Sequence, residues 1–211
     1  MKRSLIKIKK IYENDLNLYG NSLKGVGWKN PRDAKKRYEV MYKLFSNDKS
    51  QKKILDFGCG LSHFYSFLKE KKVKKFEYIG MDISEKMISL SKKKFPKNNY
   101  ICEDIIANSR SIPRVDYIII NGLFTQKGHY SKKKMLLFIK QIISYLYKKT
   151  NKAIAFNFMS PYVDWKNDKN FYLDLNSLLN ELKNVSKNFK IIHNYGLYEY
   201  TLYMYKNELR L

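Results

Sequence analysis

Arginine is scarce in a chain otherwise crowded with cations. Six of its 42 basic residues are arginine and the rest are lysine, against 19 acids, for a formal net charge of +23. Readers of nucleic acid lean on arginine for bidentate contacts to bases and phosphates. Here lysine is spread over nearly every predicted element, including the runs Lys92-Lys93-Lys94 and Lys132-Lys133-Lys134. With asparagine, isoleucine and tyrosine also abundant, the charge reads as an AT-rich coding bias displayed on solvated helix faces, and a polyanionic partner becomes the lesser reading. Cysteine is nearly absent. Cys59 and Cys102 stand singly with no metal-ligand spacing, which excludes a disulfide scaffold and a zinc site and fits a reduced protein of the cytoplasm. No apolar run approaches the roughly 18 residues of a membrane helix, and Met1 to Lys10 lacks the apolar core of a secretory signal. With four prolines, no Gly/Ser-rich linker and no internal repeat, the 211 residues read as one domain, 1–211.

What the chain does have is a series of short apolar runs that end on acids or glycines. Residues 53 to 60 read Lys-Ile-Leu-Asp-Phe-Gly-Cys-Gly. Asp56 marks the carboxyl end of a strand, and Gly58 and Gly60 remove the Cβ atoms that would keep a backbone from lying flat against a ligand. The fuller Gly-x-Gly-x-x-Gly pattern is not completed, because position 63 is His. About twenty residues on, Phe76 to Asp82 is again apolar and again closes on an acid, placed to accept hydrogen bonds from a ribose diol. A third short run, Tyr100-Ile101-Cys102, leads into Glu103-Asp104-Ile105, where an acid can accept from an adenine amino group and an isoleucine can cover the ring. Val115 to Ile120 is continuously apolar, suited to a strand buried on both faces, and closes on Asn121-Gly122. An acid at any one strand tip is as readily an ordinary solvated loop residue; four such signals in order argue for a site.

In these motifs the chain resembles the class I S-adenosylmethionine (SAM)-dependent methyltransferases, over Ile54–Gly60, Tyr78–Ser84, Cys102–Ile105 and Val115–Gly122. The resemblance implies an α/β, Rossmann-like seven-stranded sheet, mostly parallel with its last strand antiparallel, carrying helices on both faces. It implies SAM as cofactor, touching Asp56, Gly58, Cys59 and Gly60 at the first turn, Asp82 and Ile83 at the ribose, Asp104 and Ile105 at adenine, and Asn121 and Gly122 beyond strand four. The third motif departs from the family's pattern, with Glu103 where a small residue often sits.

Residues 1–50 precede the first strand and read as an N-terminal helical lid on a Rossmann-like core of residues 51–211. One helix, Ser4 to Tyr19, carries Leu5, Ile8, Tyr12, Leu16 and Tyr19 at helical spacing; a second, from Pro31 to Phe45, turns Val40, Met41, Leu44 and Phe45 to one side. The glycine-hinged loop between them holds Trp28, which either folds over the cofactor or packs the two helices onto the sheet. Arg37 is the better-placed cation for a ligand carboxylate, with a surface salt bridge as the alternative. Further on, the pattern predicts helices over 62–70, from Ser84, over 131–149 and over 174–187, and a fifth strand over 153–158. A terminal hairpin pairs 190–194 with 198–205 across a tight Tyr195-Gly196-Leu197 turn.

Open α/β sheets bind ligands beyond the carboxyl ends of their strands, so a methyl acceptor belongs near the segments after strands four and five. Transfer from a sulfonium needs alignment and, for a hydroxyl, removal of a proton. His129 is the best base in these segments, with Asp164 and Tyr162 behind it and His63 and His193 as alternatives. The Asn/Asp-Pro-Pro-aromatic motif of amino-group methylation is absent, since Gly122 and Leu123 replace the prolines, and no Pro-Cys pair offers the thiolate of cytosine methylation. The Gly-Val-Gly-Trp, Asn-Gly-x-Phe and Phe-Asn-Phe-x-Ser segments also resemble a bacterial group of small methyltransferases of surface-polysaccharide biosynthesis. The favoured acceptor is therefore a small polar molecule such as a sugar, methylated on oxygen. A ribosomal or transfer RNA acceptor served by the lysine surface, and a non-catalytic SAM-binding module, are the competing readings. No metal and no membrane insertion is expected.

Overall fold

Seven strands in the order β3-β2-β1-β4-β5-β7-β6 form one sheet in the computed structural model, which describes residues 2–105, 112–128 and 130–207, with side chains from Ile8 onward. The strands are β1 (Lys52–Phe57), β2 (Phe76–Asp82), β3 (Asn99–Cys102), β4 (Val115–Ile120), β5 (Thr150–Met159), β6 (Phe189–Ile192) and β7 (Glu199–Tyr205). β1 to β5 run parallel to one another, and β7 inserts antiparallel between β5 and β6. This is the sheet expected of a Rossmann-like methyltransferase. The switch in order falls between β1 and β4, whose tips therefore border a crevice.

Period-two alternation explains why the central runs read as continuously apolar. Leu55, Phe57, Ile118, Ile120, Ile154 and Phe156 face a cluster completed by α5 (Lys132–Lys149) and α6 (Leu175–Leu182). Their neighbours Ile54, Tyr117, Ile119, Ala153 and Ala155 face the opposite cluster, built on α2 (Pro31–Lys43) and α3 (His63–Glu70). A strand between two helical layers has no solvent face on which to be polar. In the second layer Tyr38 packs on Phe64 and Phe67, with ring centroids 5.9 and 5.7 Å away.

Helix starts follow local chemistry. Asn30 accepts a hydrogen bond from Arg32 N at 2.9 Å with Pro31 in the first turn, and Ser131 accepts from Lys134 N. α4 (Glu85–Lys94) is capped by Ser84 and ends in the exposed Lys92, Lys93 and Lys94, a favourable place for cations. Lys132, Lys133 and Lys134 are likewise exposed.

Three sequence expectations are corrected. α1 (Lys2–Tyr19) buries Ile8 and Leu16 as expected, but Tyr19, at the end of its periodic face, is 53 % exposed. α6 stops at Leu182, where Val185 N and Ser186 N turn back onto the Leu182 carbonyl. The terminal strands are joined by residues 193–198 rather than by a tight turn, because Lys36 on α2 reaches out to the Gly196 carbonyl and the loop spreads toward it.

Gly80 in β2 tests how tightly the sheet is built. A Cβ there would lie 2.7 Å from the Tyr100 ring of β3 and 3.0 Å from Cys59 Sγ. Gly80→Ala should cost about 1–3 kcal/mol of stability in urea unfolding, the usual effect of an overpacked core.

Candidate functional site

The turn after β1 is shaped by two residues in the left-handed region, Gly58 at φ +80° and Gly60 at φ +52°. Gly58 N and Cys59 N both donate to the Met81 carbonyl, at 2.8 and 3.0 Å, so the turn is stitched to the end of β2. A Cβ at Gly60 would press on Val26 at 3.0 Å, so the turn also lies close beneath the loop that follows α1. Asp82 completes the junction: its Oδ2 accepts from Gly60 N and its Oδ1 from Ser84 N, each at 2.9 Å. Each oxygen keeps a further lone pair for a ligand hydroxyl. Burial raises the Asp82 carboxyl above its ordinary range, opposed by the backbone donors of Ser84, Gly60 and Ile83 and by the charge of Lys9.

Asp56 sits deeper, 3 % exposed, with the Tyr78 hydroxyl donating to its Oδ2 at 2.7 Å. Burial, with the charge of Asp82 adding, pushes its carboxyl up to about 7, against the pull of the tyrosine bond. Cys59 is buried and free, and its thiol is raised by burial; Cys102, also free, is exposed.

These groups open into a cleft of about 720 Å³. Its roof is α1, with Tyr12 and Asp15, continued by the loop from Lys24 to Lys29. Ser84 Oγ donates to Glu13 Oε1 at 2.7 Å, tying the roof to the tip of β2. Its far wall is Asn121 to Leu123, Thr125 and Gln126, after β4. Trp28 lines the cleft with its ring against Gly122, where a Cβ would meet the indole at 2.5 Å. Burial pushes the Tyr12 hydroxyl up to about 12, reinforced by Asp82 and Asp15.

The structure thus brings Asp56, Gly58, Cys59, Gly60, Asp82, Ile83, Asn121, Gly122 and Trp28 together on one cavity. Five expectations are placed differently. Arg37 is not free for a ligand carboxylate, because its guanidinium is paired with buried Glu199 and stacks over Trp28 at 4.4 Å. Ile105 joins the buried cluster that holds Met81, and neither it nor Asp104 lines the cleft. Tyr162, 78 % exposed, and Asp164, also exposed, lie outside the lining, since Ser160 bonds to the Tyr198 carbonyl and the chain turns outward there. His129 lies outside the described residues. Of the alternatives, His193 is exposed, whereas His63 lines the cleft with its Nδ1 buried and unpartnered, its pKa lowered to about 4 by burial and by Lys94.

Sequence reasoning missed Tyr12 and Asp15 on the roof and Tyr38 on α2 as cavity residues. Their signal was present: Tyr12 stands one turn from both Ile8 and Leu16 on the buried stripe, where a hydroxyl needs something polar to face.

A crevice at the switch in strand order, floored by a glycine turn bonded to an acid, defines a Rossmann-like SAM-dependent methyltransferase. The chain belongs to the methyltransferase domain family, whose sequence profile matches residues 48–194. No curated protein sequence matches it. Among solved structures it is similar to a magnesium protoporphyrin IX methyltransferase from Synechocystis with bound SAM, at 16 % identity and TM-score 0.64, covering 94 % of this chain and 97 % of that one. A TehB-like SAM-dependent methyltransferase from Corynebacterium glutamicum matches at 15 % identity and TM-score 0.63, over 94 % and 99 % of the two chains. A SAM-dependent methyltransferase from Clostridium acetobutylicum matches at 14 % identity and TM-score 0.61, over 95 % and 98 %. At these identities the likeness is one of fold.

Asp56 supplies a test by acidity. With a folded value near 7 against an ordinary 3.8, its protonated form favours the folded state. That contribution is full below about pH 4 and is lost as pH rises through about 7. Asp56→Asn, which keeps an acceptor for Tyr78, should therefore gain on the parent protein by about 1–3 kcal/mol at pH 8 and by far less at pH 5, read from urea unfolding of the ligand-free protein.

Proposed function

We propose that this chain transfers the methyl group of SAM to an oxygen of a small polar acceptor, a sugar or related metabolite. The observation that carries the reading is the roofed cleft itself: α1 and the Lys24–Lys29 loop cover the glycine turn and Asp82 and leave a cavity of small-molecule size. The free cysteines fit a reducing compartment and hence a cytoplasmic enzyme.

The residues present suit an adenosyl cofactor. Gly58 and Gly60 form a cradle that side chains would fill, Asp82 has lone pairs left for a ribose diol, and Asn121 Oδ1 and His63 Nδ1 are buried polar atoms in lining residues that lack a protein partner. SAM would supply an electrophilic methyl on a sulfonium that is its own leaving group. The protein's share is to hold, orient and dry. Asp82 and the turn would fix the cofactor, while Tyr12, Trp28 and the roof keep water from the reacting centre. Removal of a hydroxyl proton falls to a group facing this cavity rather than to the outward Tyr162–Asp164 segment. An RNA acceptor draws its support from the lysine excess of the sequence.

Asp82→Asn preserves shape while removing the charge and one acceptor. Calorimetry should show S-adenosylhomocysteine bound at least about tenfold more weakly than by the parent, the size expected of a lost charge-assisted hydrogen bond. An unchanged affinity would sink the cofactor assignment. With methyl-labelled SAM, label should appear in nucleotide-activated sugars or their polymers; label appearing in RNA alone would overturn the acceptor class.

A further inference from the structure

Behind the acceptor side of the cleft runs a closed ring of five residues drawn from five segments. Glu199, the first residue of β7, is 3 % exposed. Its Oε1 accepts from Arg37 of α2 through both Nε, at 2.7 Å, and a terminal guanidinium nitrogen. Its Oε2 accepts from Asn157 Nδ2 of β5 at 2.6 Å. Asn157, 2 % exposed, uses its Oδ1 to accept from the backbone N–H of Gly122 at 2.8 Å. Gly122 lies against the indole of Trp28, and the Arg37 guanidinium stacks on that same indole at 4.4 Å, which closes the ring.

Each member constrains the next. A carboxylate only accepts and a guanidinium only donates, so Asn157 must turn its amino group to Glu199 and its oxygen to Gly122; the amide has no alternative orientation. Gly122, at φ +79°, holds a backbone shape that suits glycine, and any Cβ would strike Trp28. Gly122 and Trp28 line the cleft, whereas Arg37, Asn157 and Glu199 do not. The three polar side chains therefore reach the cavity only through the two surfaces they hold.

We propose that Glu199 is a positioning residue: through Arg37 and Asn157 it sets Trp28 and the Gly122 peptide as one rigid wall of the cleft and so fixes the width of the site. The proposal rests on the reading of this cleft as the cofactor site. Two tryptophans occur in the chain, Trp28 and the 69 % exposed Trp165, so Trp165→Phe leaves Trp28 as sole reporter without touching the cleft.

In that background, Glu199→Gln should shift Trp28 emission to the red and raise the dissociation constant for S-adenosylhomocysteine about tenfold, as for one lost charge-assisted hydrogen bond. Arg37→Met/Glu199→Gln leaves no unpaired charge, and the amide oxygen at position 199 can still accept from Asn157. It should recover the parent's melting temperature yet keep the emission and affinity defects. Unchanged emission or unchanged affinity in Glu199→Gln overturns the proposal, as does a double variant that regains affinity together with stability, since the pair would then be structural only. If the Trp165→Phe parent itself binds no S-adenosylhomocysteine, the cofactor reading fails instead, and Trp28 emission alone decides whether Glu199 fixes the wall.

Discussion

Two backbone hydrogen bonds to one carboxylate hold the working end of this protein in shape. Asp82 takes the N–H of Gly60 on one oxygen and that of Ser84 on the other. The turn after β1 and the start of α4 are thereby joined at the tip of β2. A buried carboxylate is costly unless it is hydrogen-bonded, and one left without these donors would have to be protonated or solvated. The same bonds that make its burial tolerable put its remaining lone pairs at the cleft. Structure and site thus share one solution at this point.

The roof obeys the complementary rule. An amphipathic helix with no partner would expose its stripe, and α1 buries its own on the ends of the sheet: Leu16 clusters with Leu61 and Met87, and Ile8 with the main core. Polar bonds then set its angle, from Ser84 to Glu13 on one side. On the other side the Glu199 ring anchors α2 and the loop before it to β4, β5 and β7. A roof held by apolar area alone would be free to slide. One held also by directional bonds at both edges is not.

Local patterns made most of the sheet legible. β2 and β4 match the apolar runs to the residue, because a strand between two helical layers cannot hide its signal. The glycine turn and the placing of Asp82 beside it were likewise legible, since both are set within a few residues and one crossover. What escaped was whatever depends on distant chain meeting locally. Arg37 looks like a free cation until Glu199, 162 residues away, arrives beside it. Tyr162 and Asp164 look catalytic because they follow a strand, but the exit direction of that segment is set by Ser160 bonding across to Tyr198. Tyr12 was recognised as part of a packed stripe and not as a cavity wall, a difference that depends on what lies opposite.

The charge distribution separates the surface from the chemistry. Lysines on α4 and α5 stand exposed, so much of the excess of +23 lies on helix faces turned away from the sheet. The floor and roof of the cleft instead carry Asp56, Asp82 and Asp15, with Lys9, Lys24 and Lys29 all supplied from the roof side. The lining thus holds as many lysines as acids, and burial raises Asp56 and Asp82 toward their neutral forms. Long-range attraction for anions therefore belongs to the lysine-covered helix faces and not to the cleft, so the charge of the exterior and the chemistry of the cavity are set by separate parts of the chain.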